Sequence, residues 1–218
     1  MLPLTESRPK PLQEVLGKSL LEWKLETLPD EVGEVIIVVG HQGEQIRARF
    51  GDVWKGKRIY YAEQAELNGT AGALIAAKDF LGERFLVMMG DDLYSKADVA
   101  QLLALPWGVC VKEVHQKEMK GVMQVNDSGH FIGINEEVHF VEHGLVNTGL
   151  YILGREILEI PAVPIGGSST EFGLPHTLAI IAQETPVPLL VTNKWMQITT
   201  PDDLERAESF VLDNFKYE

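Results

Sequence analysis

Asp91 and Asp92 stand side by side just past the apolar run Phe85–Met89, separated from it by Gly90. A short unbroken apolar run of this kind suits a strand buried on both faces of a parallel sheet. In open α/β sheets ligands bind beyond the carboxyl ends of the strands, so this pair would sit at the mouth of a site. A carboxylate there commonly holds a divalent cation, and the cation holds phosphate oxygens. The two residues alone equally allow a plainer reading, with Asp92 capping the next helix and Asp91 a solvated turn residue. Lys10 lies between Pro9 and Pro11, which stiffen the backbone carrying its ammonium; a solvated loop lysine is the bland alternative. Gln64, in EQAELNGTAGA, has an amide that can donate to and accept from a base edge. Five residues on, Gly69 allows a flat ring to approach the backbone, unless the segment is only a helix-entry turn capped by Thr70. Asn147 is a polar residue inside the strand-type segment LVNTGLYIL, so it is either tied to backbone or aimed at a ligand.

The elements that must position these groups alternate. Residues 19–28 predict a helix with an apolar face of leucines and Trp23, and the β-branched run 35–39 predicts a buried strand. A helix over 42–50, a strand over 58–62 and a helix over 70–81 follow, then the strand at 85–89. This is the pattern of a three-layer α/β fold, Rossmann-like, around a mostly parallel sheet. After a helix at 96–105 the chain turns β-rich. Strands are predicted at 107–114 and 145–153, with a hairpin of 121–125 and 130–134 around Asn126-Asp127-Ser128-Gly129. A helix at 174–183, a strand at 187–191 and a closing helix at 202–214 complete it. No internal repeat or linker appears, so residues 1–218 predict one domain.

A net charge of −13 argues against a nucleic-acid or anionic-membrane partner. Cys110 is the single cysteine, which excludes an intramolecular disulfide and fits a reducing, cytoplasmic setting. No basic-then-apolar leader and no bilayer-length apolar run is present. No G-x-G-x-x-G follows a strand, which disfavours a plain dinucleotide-binding domain.

Five segments in order, PLTESRPKPL, QAELNGTAGAL, GDDLY, LVNTGLY and TTPDDLERA, resemble the nucleotidyltransferase family that joins an NTP to a sugar 1-phosphate, of the glucose-1-phosphate thymidylyltransferase type. The resemblance runs along nearly the whole chain. It implies a fold of the nucleotide-diphospho-sugar transferase type, with a nucleotide-binding part to about 106 and a sugar-binding part after it, NTP and sugar phosphate as partners, magnesium as cofactor, and a possible homo-oligomer. Carried over residue by residue, Lys10 would bind the triphosphate near the bond being broken and serve as the catalytic cation. Gln64, Gly69 and Thr70 would line the nucleotide site, and Asp91 would hold the metal. Gly121, Glu136 and Asn147 would hold the sugar.

The chain departs from the family pattern at several points. A glutamate, Glu137, follows the sugar-site glutamate where the family has lysine, and Gln197 in WMQITTP replaces a second metal aspartate. Leu2 stands where arginine is usual and His176 where an acidic residue is common. The sequence begins just after the position of the family's first strand and its G-x-G-T-R phosphate loop. In the family's sheet that strand lies between those at 35–39 and 85–89, so a gap about two strand spacings wide, roughly 9–10 Å, is expected between them. Two functions follow: an NDP-sugar-forming enzyme, or a catalytically impaired nucleotide- or sugar-binding relative or regulatory subunit.

Overall fold

The computed structural model describes residues 8–215 except 120, 138, 167 and 168. Leu2, one of the departures above, lies outside these residues. Eight strands of four residues or more are described. They are β1 (Glu34–Val39), β2 (Lys57–Glu63), β3 (Arg84–Met88), β4 (Gly108–Met119), β5 (Val122–Val125), β6 (Phe131–Asn135), β7 (His139–Gly154) and β8 (Leu189–Thr192). The α-helices are α1 (Leu20–Leu25), α2 (Gly43–Phe50), α3 (Thr70–Ala76), α4 (Lys96–Leu103), α5 (Leu174–Ile181) and α6 (Pro201–Phe215).

β1 and β2 pair in parallel, with Val53–Trp54 antiparallel on the far side of β2. A second sheet runs β6-β5-β7-β4-β8, and β3 pairs antiparallel with the distal half of β7. The α/β expectation holds, but the larger sheet is mixed, its one parallel pairing being β4 with β8. The expected single sheet containing both 35–39 and 85–89 is not formed. β1 and β3 share no hydrogen bond. Residues 35–38 of β1 and 84–88 of β3 instead face a trench of about 760 Å³.

Side-chain alternation on β4 and β7 builds the layers. Val109, Val111, Tyr151 and Leu153 pack with Leu174 and Leu178 of α5. Cys110, Leu150 and Ile152 point the other way, onto Val99 and Leu102 of α4. Around β1 and β2 a separate cluster joins Ile37, Val39 and Ile59 to Leu21 and Leu25 of α1 and Ile46 of α2. The carboxy-terminal helix α6 lays Ala207 and Val211 on Val15, Leu20 and Trp23, near the start of the described chain.

Thr70 does not cap α3 as its type suggested. Gly69, at φ +93°, takes the cap, because a Cβ there would lie 2.5 Å from the Phe172 carbonyl oxygen. Asp92 is not a cap either: the Ser95 hydroxyl caps α4 by accepting from the Asp98 N–H.

Candidate functional site

The ammonium of Lys10 and the carboxylate of Asp91, 81 positions apart, meet at 2.6 Å. Each is placed by its local backbone. Pro9 caps a single 3-10 turn at Lys10–Leu12 that has Pro11 at its centre, and Pro11 packs over Gly90, where a Cβ would touch its ring carbon at 3.6 Å. The half-exposed Asp91 follows β3 after Gly90, so the loop before α1 lies across the carboxyl end of that strand.

Behind this pair is a buried one. Asp92 is 4% exposed and accepts from the Trp195 indole N–H at 3.0 Å. Burial, and next the Asp91 charge, push its carboxyl up to about 7. Lys24 is also 4% exposed, and no hydrogen-bond partner reaches its Nζ. Burial pushes its ammonium down to about 8 against the pull of Asp92 and Asp91, and the Tyr94 ring lies 5.8 Å away. Two cations and two carboxylates thus converge where β3 ends. Such a cluster at a strand's carboxyl end marks a candidate functional cleft. Sequence reasoning passed over Lys24 and Trp195. Lys24 sits between Trp23 and Leu25 on a helix whose residues are nearly all buried, a position where a lysine stem alone does not reach water.

The nucleotide-side candidates stand at the same mouth. Gln64 follows β2 directly and lines the trench together with Thr70, Met89 and Gly90. Its amide nitrogen donates to Asn68 Oδ1 at 3.0 Å and to the Gly69 carbonyl at 3.1 Å, which fixes the turn. The space beside the α-carbon of Gly69 is filled by the Phe172 backbone, and the Thr70 hydroxyl accepts from the Leu174 N–H, so both residues anchor the backbone at 172–174.

The sugar-side candidates form a second group. Gly121 (φ +71°) accepts from the Asn147 N–H at 3.3 Å, and Glu136 Oε2 lies 3.7 Å from where its Cβ would be. Asn147 donates to the Tyr151 hydroxyl at 2.6 Å and accepts from the Gly149 N–H at 3.0 Å, within the register shift between Asn147 and Leu150. The Met89 N–H donates to the Gly149 carbonyl at 3.2 Å, which fastens this group to the end of β3. Two of the departures, Glu137 and Gln197, are both exposed.

The family model for nucleotidyl transferases matches residues 1–214. The chain belongs to the nucleotidyl transferase family. It is 30% identical over 212 residues to the bifunctional protein GlmU of Methanocaldococcus jannaschii, covering 97% of this chain and 51% of that protein. The UTP–glucose-1-phosphate uridylyltransferase AglF of Haloferax volcanii is 28% identical over 224 residues, covering 94% and 89%. The chain thus spans about half the length of the GlmU relatives it matches. In fold it resembles the inositol-1-phosphate CTP transferase of T. maritima, with a TM-score of 0.73 at 16% identity over 98% of this chain and 90% of that one. Among the described residues no helix is long and apolar enough to cross a membrane.

Proposed function

We propose that this family member transfers a nucleotidyl group from an NTP to a sugar 1-phosphate. The observation that carries the reading is the contact of Lys10 with Asp91 at the end of β3, with the sugar-side group fastened to that strand end and the nucleotide-side group lining the trench beside it. A sugar-phosphate oxygen attacks the α-phosphorus, a new P–O bond forms, and the α–β bridging bond breaks to release pyrophosphate. Such transfers depend on positioning and charge neutralisation more than on covalent chemistry. Lys10 supplies a positive charge to the triphosphate and also sets the orientation of Asp91. Gln64 and Thr70 border the base, and Asn147 and Glu136 offer acceptors and donors to sugar hydroxyls.

Asp91 fits magnesium, because a half-exposed carboxylate with one cationic neighbour suits an ion that keeps much of its water and binds one or two carboxylates plus phosphate. Bound there, magnesium would neutralise charge on the triphosphate. Asp92 suits it less well, since its carboxyl is buried and turned to Trp195.

Glu137 and Gln197 favour a second reading, a nucleotide- or sugar-binding relative with little turnover. Pyrophosphate release assayed over a panel of NTPs and sugar 1-phosphates with magnesium separates the two. Magnesium-dependent turnover supports the enzyme; saturable nucleotide binding with no pyrophosphate supports the second reading.

A further inference from the structure

Far along the β4–β7 ribbon, past the end of β8, three metal-ligating side chains stand together. β8 stops pairing with β4 at Lys112, so the following residues of β4 have β7 as their only described neighbour. His115 of β4 lies directly opposite His143 of β7. Glu113 precedes His115 by two residues and therefore shares its face. The Glu113 carboxylate contacts the His143 Nε2 through one oxygen and lies 3.8 Å from the His115 Nε2 through the other. The two imidazoles meet edge to face, with centroids 4.7 Å apart. One ligand atom from each of the three residues lies within 4.8 Å of the other two.

We infer that Glu113, His115 and His143 form a binding site for a borderline-soft divalent transition-metal ion, Zn²⁺ being the representative. Two imidazole nitrogens and one carboxylate oxygen are the ligand types that zinc takes at about 2.0–2.2 Å. Three atoms already grouped this closely need only side-chain rotation to converge on one ion. All three side chains are about half exposed, so an ion reaches them from solvent without opening the fold. Magnesium is a poor competitor, since it prefers oxygen ligands in octahedral geometry. This site is separate from the cleft at Asp91 and does not depend on the reading proposed for it.

The test is calorimetric titration of tag-free protein with ZnCl₂, alongside the variants H115A, H143A, the double variant H115A/H143A, and H41A as a control. Cobalt substitution provides a second readout through its visible absorption. The expected result is one ion per chain, weakened at least tenfold in each single variant, lost in the double variant and unchanged in H41A. Visible cobalt bands should disappear with the same two histidines. Because the replaced side chains are exposed, melting curves of the variants should overlay the parent. No zinc binding to the parent protein, or binding undiminished in the double variant, overturns the inference.

Discussion

At the scale of single residues, the Lys24–Asp92 pair makes the sharpest prediction. Asp92 holds its proton more tightly folded than unfolded, so stability falls as pH rises from about 4, its ordinary range, through about 7. Lys24 holds its proton less tightly folded, so stability climbs again from about 8 toward its ordinary value of 10.5. At pH 6 Lys24 is a buried cation lacking a hydrogen-bond partner. Lys24→Met should therefore stabilise the fold at pH 6 by about 1–3 kcal/mol, since it removes an unsatisfied buried group. Urea unfolding at pH 6 and 9.5 checks this, and the variant should also lose the alkaline recovery. An unchanged unfolding curve would show that Lys24 is satisfied in solution. Asp91 makes the opposite kind of prediction. Its ion pair with Lys10 is partly solvent-exposed, and exposed pairs contribute up to about 1 kcal/mol. Asp91→Asn should barely shift the melting temperature, yet lower pyrophosphate release about 100- to 1,000-fold, the scale of losing one transition-state electrostatic contact. Glycine, proline and an apolar run frame Asp91 and Lys10, but those residues alone left a turn aspartate and a solvated loop lysine open, and the family resemblance singled them out. Lys24 was not legible, since a lysine in a helix reads as a stem lying along apolar surface with its charge in water.

At the scale of elements, the runs with a buried face were read within a few residues, because burial writes a period into the sequence. The outer lengths of β4 and β7 were missed for the converse reason. Glu113, His115, Phe140, Glu142 and His143 are exposed, so no apolar alternation marks that ribbon, and the histidine cluster on it went unread. Helix α6 depends on a local device. The Asp203 carboxylate accepts from the Thr199 and Thr200 N–H groups at 2.8 and 2.7 Å and pairs with Arg206. Burial alone would raise its pKa; the Thr200 and Thr199 amides and Arg206 outweigh it and hold the carboxyl well below the usual range. Its contribution is complete above about pH 4 and fades as pH falls through that depressed value. Asp203→Ala should cost about 0.5–2 kcal/mol at pH 7, the range for losing a helix cap, as measured by urea midpoint. The trench makes another prediction. Among the described residues, one row of backbone groups on β1 and one on β3 have no strand partner, so their amides should exchange far faster than those of central β7, as read by hydrogen exchange. Equal protection would mean that the trench is closed in solution.

At the scale of the whole molecule, the parts of the chain before and after about residue 106 are interleaved and do not sit side by side. β3 belongs to the first part in sequence but pairs with β7 of the second, and α6 returns to cover Val15 and Trp23. We propose that the two parts unfold as one. Far-ultraviolet and tryptophan signals should melt in one coincident transition, and residues 107–218 expressed alone should show no cooperative melting; two separated transitions would mean independent domains. The trench has a final consequence for assembly. An ordinary open sheet edge, once paired, presents a fresh edge to the next chain and can grow without limit. Here β2 already occupies the far side of β1, and β7 the far side of β3. A strand entering between β1 and β3 would meet an acceptor row on each flank and leave no new edge behind. The opening therefore has a valence of one: a single guest strand, in cis or in trans, saturates it, and the sheet does not grow further through it.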